Sequence, residues 1–307
     1  MLTIQHILLP TDRTAWSEVV FAHAARYAQR HGATLHLLTV SPGATGEYVV
    51  TAPPSKADDF TQRLHQAAAD AVGFDVVYVD RAAPSVQRGI LDYAERIDAD
   101  LIVMATHGRR GVDHALIGSI AEAVVRRSAC PVLTVRPTAD HIETDPRRVL
   151  VPIDLSAHAR QALAHARELI EDSEAEIHLV HVAQPFPNYG VVDVPPGTEE
   201  VTKQEREAIE SAMREIAAEV LGAASAVEIH VESAIGNPAV SVLDIAERLD
   251  IDLIVLGSHG RSGVRRFWLG SVTEKVVQLA PCPVFTVKVY GKSLLPGVAV
   301  DADGDVA

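Results

Sequence analysis

Two apolar periodicities alternate along this chain. Short β-branched runs bounded by turn residues read as buried parallel strands near 4–10, 33–40, 74–80, 99–105 and 130–135, and again near 148–153, 175–182, 226–232, 251–257 and 282–287. Longer Ala-, Glu- and Arg-rich stretches between them read as helices starting near Ser17, Asp58, Val86 and Ser119, then near Ser156, Thr198, Pro238 and Ser271. Ser156, directly ahead of an Ala-rich run, suits an N-cap, because its hydroxyl can accept a first-turn amide. Strand and helix in strict alternation, joined by right-handed crossovers, predict an open, mostly parallel sheet with helices on both faces.

The pattern is stated twice. ATLHLLTV (33–40) returns as AEIHLVHV (175–182), DYAERIDADLIVMATHG (92–108) as DIAERLDIDLIVLGSHG (244–260), and ACPVLTV (129–135) as PCPVFTV (281–287). So many matches in one order establish a duplication and predict two tandem domains, 1–137 and 148–290. Residues 138–147 read as a linker. From 291 to 307, Gly, Pro and Asp dominate and periodicity ends, which predicts a disordered tail.

Composition narrows the classes. Apolar residues at 48% and charged residues at 22% describe a soluble globular protein. A formal charge of −14 opposes a phosphate backbone and argues against nucleic acid as a partner. No apolar run reaches the roughly 20 residues of a membrane span, and residues 1–10 lack a basic leader, so a cytoplasmic protein with no membrane partner is expected. Two cysteines, Cys130 and Cys282, precede proline at equivalent places and read as small buried side chains, with an inter-domain disulfide as the alternative.

The candidate chemistry lies after the fourth strand of each copy. Gly257-Ser258-His259-Gly260 is followed by nine residues, then Gly270-Ser271 and a helix. Glycines let backbone approach a ligand closely, and a helix start offers free N–H groups and a positive dipole end to an anion. In an open α/β sheet this loop stands at the carboxyl edge, where ligands bind. The first copy reads Ala105-Thr106-His107-Gly108 and Gly118-Ser119, so Ala105 replaces the first glycine. It also has Ala82, Ala83 and Pro84 where the second copy has the Gly236-Asn237-Pro238 turn.

The spacing G-x2-G-x9-G-[ST], with an Asp ending the first strand, resembles the nucleotide-binding branch of the universal stress protein family, and the resemblance covers both copies. It implies two Rossmann-like α/β domains, each a five-stranded parallel sheet of order 3-2-1-4-5, with ATP or a related adenine nucleotide, with or without Mg2+, between the first and fourth strands. It assigns to that ligand Pro152, Ile153, Asp154, Val182, Gly257, His259, Gly260, Arg261, Gly270, Ser271 and Val272. In the first copy it assigns Pro10, Thr11, Asp12, Val40, Ala105, His107, Gly108, Arg109, Gly118, Ser119 and Ile120. The Asp would line the adenine–ribose end, the Val would pack on the base, and the glycine loop would hold ribose and phosphates. The resemblance further implies an intramolecular pseudo-dimer and leaves a homodimer open. Because only the second copy carries the whole signature, it is expected to bind at least as well as the first.

Plainer readings stand beside these. Any strand-to-helix junction can use a glycine turn, and Asp12 and Asp154 can serve as helix caps. Arg109, Arg110, Arg261, Arg265 and Arg266 can be solvated as readily as phosphate-bound. Gly291-Lys292-Ser293 resembles the end of a P-loop, but Thr286 occupies the place of its first glycine. No histidine spacing matches a zinc signature, and His178 and His181 alternate on one strand, so no metal site is expected. With no Walker lysine and no nucleophile–base pair, no catalytic residue is assigned. The expectation is a nucleotide-responsive stress-response protein, against an interaction module with empty sites or a slow ATPase.

Overall fold

A computed structural model of the 307-residue chain describes residues 3–13, 16–44, 46, 49–51, 73–106, 118–136, 145–171, 173–184, 201–222, 226–234, 236–258, 269–288 and 292–295. Two compact units form, one from Met1–Thr144 with Tyr290–Ala307, the other from Asp145–Val289.

In the first unit β1 (His6–Pro10), α1 (Trp16–His31), β2 (Thr34–Pro42), β3 (Val49–Thr51), β4 (Val76–Ala83), α2 (Val86–Arg96), β5 (Leu101–Ala105), α3 (Ser119–Arg127) and β6 (Val132–Val135) follow in turn. The sheet runs β3-β4-β2-β1-β5-β6, parallel except for β3, which pairs antiparallel with β4. The five parallel strands thus take the expected order 3-2-1-4-5, and β3 extends that sheet beyond the five strands expected. The helix expected near Asp58 lies outside the described residues.

In the second unit the elements are β7 (Arg148–Pro152), α4 (Ala157–Leu169), β8 (Glu176–Ala183), α5 (Lys203–Leu221), β9 (Val227–Ser233), α6 (Ala239–Arg248), β10 (Leu253–Gly257), α7 (Ser271–Leu279) and β11 (Val284–Val287). Their order, β11-β10-β7-β8-β9, is the same topology. Here α5 begins later than the expected Thr198. Thr202 caps it with a full capping box: its hydroxyl accepts the Glu205 amide while the Glu205 carboxylate accepts the Thr202 amide.

Helices cover both faces, α4 beside α5 and α6 beside α7 in the second unit. The central strands are therefore dry on both sides: Ile7, Leu8, Leu101, Ile102, Val149, Leu150, Ile254 and Val255 have no exposed surface. One carboxylate in each unit, buried at Asp100 and half-buried at Asp252, fixes where the first strand starts. Asp100 accepts the Gln5 and His6 amides at 2.7 and 2.8 Å, and Asp252 accepts those of Arg147 and Arg148, both at 2.9 Å. Backbone conformation repeats as well. Arg13 and Leu155, each following the first-strand Asp, have φ of 61° and 65°, while Asp98 and Asp250 beyond α2 and α6 have 49° and 46°.

The start of the expected tail packs on the first unit. Lys292 donates to Asp100 at 2.7 Å and to Asp98 at 2.8 Å, its amide reaches the Ala129 carbonyl, and Leu294 is buried. A cation that satisfies the second oxygen of buried Asp100 gives this short segment a reason to order; residues 296–307 lie outside the described residues. Cys130 and Cys282 are both buried free thiols, so no disulfide joins them. Burial, with Asp252 nearby, pushes the Cys282 thiol up to about 12, so it stays protonated.

Candidate functional site

Register decides which residues meet at the carboxyl edge. In the second unit Pro152 lies opposite Val180, and Leu150 opposite Ile254. Carried two steps on from Pro152, this register sets Asp154 level with Val182 on β8, and carried three steps on from Ile254 it sets Gly257 level with Ile153, one step short of that row. In the first unit Pro10 opposite Leu38 and Leu8 opposite Ile102 set Asp12 level with Val40, with Ala105 level with Thr11, again one step short. The first and fourth strands of each sheet adjoin here, at the topological switch point.

The turn after β7 is built from short polar links. Asp154 Oδ1 accepts the Ser156 amide at 3.1 Å and its hydroxyl at 2.5 Å, and Ser156 in turn accepts the Ala159 amide as N-cap of α4. The expected Ser156 cap is present, and Asp154 orients it. His181, buried on β8, donates from Nδ1 to the Ile153 carbonyl at 2.7 Å and holds the turn from the neighbouring strand. In the first unit Arg13 bridges instead, from Nε to Thr39 at 3.4 Å and from Nη2 to Asp80 at 2.9 Å.

The glycine loop is clamped at its stem in both units. The Gly270 amide donates to the Ser258 carbonyl at 2.9 Å, and Gly118 to Thr106 at 2.7 Å. Buried Thr273 adds a bond from its hydroxyl to the Gly257 carbonyl at 2.8 Å, and Ala121 at the equivalent place has no hydroxyl to do so. Spacing alone did not single out Thr273, although Thr against Ala in otherwise matching helices was a readable signal. Gly270 and Gly118 have φ of −60° and −63°, so glycine is not required there by backbone angle.

Among the described residues, no side chain caps the helices that start after these two glycines. Elsewhere Ser85, Ser156, Thr202 and Asn237 each accept a first-turn amide. The first turns of α3 and α7 therefore keep amides and the positive dipole end for another acceptor. Ser271 and Ser119 are exposed, while Gly257, Gly270, Val272 and Asp154 are half-buried. His107, Gly108, Arg109, His259, Gly260 and Arg261 lie outside the described residues, as do Arg110, Arg265 and Arg266.

Fold and edge geometry define a doubly wound α/β protein whose first and fourth strands adjoin in each half. The family model for the universal stress protein family matches residues 3–136 and again 146–288, so the chain belongs to that family twice over. A universal stress protein of Mycolicibacterium smegmatis is 27% identical over 92% of this chain and 96% of its own length. One from Methanocaldococcus jannaschii is 32% identical over 46% of this chain and 82% of its own. The crystal structure of a universal stress protein from Archaeoglobus fulgidus shares the fold, with a TM-score of 0.59 and 24% identity over 92% of this chain and 98% of that one.

A second cluster was not anticipated. His178 on β8 meets Glu228 and His230 on β9, away from the carboxyl edge, where sequence spacing gave no expectation of metal-type side chains converging. The available signal was the tripeptide Glu-Ile-His, present at 176–178 and again at 228–230. Burial, then the charge of His178, lowers the His230 pKa. Among the described residues, no helix is long and apolar enough to cross a membrane.

Proposed function

We propose that this universal stress protein binds an adenine nucleotide, ATP or a close relative, at the carboxyl edge of the second unit, and answers to its occupancy rather than turning it over rapidly. One observation carries the reading: Val182 and Asp154 stand level, with Gly257 one step short of them, beside a glycine loop clamped at its stem, and among the described residues no side chain caps the helix that follows. That set fits the ligand in parts. An apolar side chain suits a base, a carboxylate suits ribose hydroxyls, and uncapped amides at Ser271 and Val272 suit a phosphate. Glycine at 270, where φ would admit other residues, fits close approach by a ligand. Mg2+ would enter with the phosphates.

The first unit repeats the arrangement with Ala105 for Gly257 and without the Thr273 bond, and it is the weaker site. Nucleotide released from the purified, denatured protein, identified by chromatography and mass spectrometry, tests the reading directly. Added ATP should raise the melting temperature, and Gly270→Asp, which sets a carboxylate at the phosphate position, should cut affinity at least tenfold. Gly118→Asp should have the smaller effect. Absence of released adenine nucleotide together with no thermal response to ATP would refute the proposal.

A further inference from the structure

We propose that His178, Glu228 and His230 form a binding site for a divalent transition-metal ion of the zinc type, separate from the nucleotide edge. His178 Nδ1 lies 3.3 Å from His230 Nε2 and 3.6 Å from Glu228 Oε2, and the last two atoms are 3.9 Å apart. A triangle with those sides has a centre about 2.1 Å from every corner, which is the length of a Zn–N or Zn–O bond. The two imidazole planes lie within 21° of parallel with centroids 5.5 Å apart. Two imidazoles and one carboxylate leave further coordination positions to water, a donor set suited to Zn2+, Co2+ or Fe2+ rather than to Mg2+ or Ca2+.

The surroundings supply what such a ligand needs. His178 is 3% exposed, and its Nε2 is buried without a hydrogen-bond partner. Glu176 Oε2 stands 3.7 Å from that nitrogen. With Nδ1 on a metal, the proton resides on Nε2, and a small approach by Glu176 gives the carboxylate–histidine–metal arrangement that fixes ring and tautomer. Parallel register explains the convergence: His178 lies opposite Glu228 and Val180 opposite His230, so Glu176, His178, Glu228 and His230 share one sheet face. β9 is the outer strand of this unit's order, and Glu228 is 65% exposed, so an ion has access from solvent.

Arg248, a neighbouring cation, is turned to Glu232 at 3.0 Å. Among the described residues the first unit has no such site. Its His36 is held by His6 and Tyr93, and register puts Val77 and Val79 where Glu228 and His230 stand. The competing account is a simple N–H···N bond between two imidazoles, which needs no ion. Val182 lies four residues along β8 from His178, roughly 13 Å at about 3.3 Å per residue, so the two sites do not share ligands.

The full chain, stripped with chelator and titrated with Zn2+ alone by calorimetry, should take up one ion by way of this cluster. Co2+ should give visible d–d absorption of a four- or five-coordinate site. Glu228→Gln changes an exposed carboxylate and keeps the fold, and it should weaken Zn2+ binding tenfold or more. His230→Gln should abolish the Co2+ spectrum, with circular dichroism verifying that the variant is folded. Zn2+ uptake equal in the parent and in folded Glu228→Gln/His230→Gln, or no uptake by the parent, would overturn the site. Because no nucleotide is present, neither outcome bears on the adenine proposal.

Discussion

Gly89, in the middle of α2, shows how one missing side chain shapes the first unit's site. A Cβ built there would lie 2.6 Å from Val40 Cγ1 and 3.1 Å from both Val40 Cγ2 and the Ala83 Cβ. Alanine in place of a mid-helix glycine ordinarily gains about 1 kcal/mol of helix propensity. Overpacking ordinarily costs about 1–3 kcal/mol, and the obstacle here is a β-branched side chain held in a strand, with little freedom to swing aside. Overpacking wins, so Gly89→Ala should destabilise the first unit by about 1 kcal/mol. It should also displace Val40, the residue proposed to meet a base. Denaturant titration should show a lower midpoint with unchanged slope; a rise in midpoint would show that Val40 yields more easily than its branching allows. The matching position in α6 is Ser241, so the second unit already accommodates a Cβ there.

At the scale of elements, the chain's end supports its beginning. Burial alone would lower the Lys292 pKa, but its bonds to Asp100 and Asp98 outweigh that and raise it. A raised lysine stabilises fully below its unfolded value of about 10.4 and loses that contribution only as pH rises through the folded value, so the strap is constant across neutral pH. Lys292→Met leaves buried Asp100 without its cation and should cost the first unit about 1–3 kcal/mol. Hydrogen exchange should report it as faster exchange in β1 and β5, with β7 and β10 unmoved; uniform exchange throughout would mean the strap is incidental. This segment also shows where sequence reading stopped. Strand order and the Ser156 cap were legible, because each rests on local periodicity or on the repeat. The ordering of Lys292 was not, since its partner carboxylates lie almost 200 residues earlier. Nor was the meeting of His178 with His230, because alternation assigns faces within a strand while pairing between strands depends on register.

For the whole molecule, two electrostatic effects oppose each other as pH falls. The net charge of −14 shrinks toward the isoelectric point near 5.4, which relieves self-repulsion and favours the folded state. Three buried histidines act the other way. His23, His36 and His165 are each lowered to about 4. Burial is the main cause in all three, aided at His23 by Arg26 and at His36 by His6, while at His165 it outweighs the bond to Gln161 and the charge of Glu168. With folded values below the unfolded 6.5, the unfolded chain takes up protons first. Their contribution is whole above pH 6.5 and drains away as pH drops toward 4, at up to about 3 kcal/mol each. Surface repulsion is softened by a screening length of about 8 Å at physiological salt, whereas burial in a dry core is not screened. The histidines should therefore dominate, and the melting temperature should fall between pH 6.5 and 4.5, by a similar amount at 0.05 and 0.5 M salt. His165→Leu, which removes one of the three from a site with no exposed surface, should flatten the slope by about a third. A melting temperature that rises toward pH 5.4 and loses that rise at high salt would instead show that net charge governs acid stability.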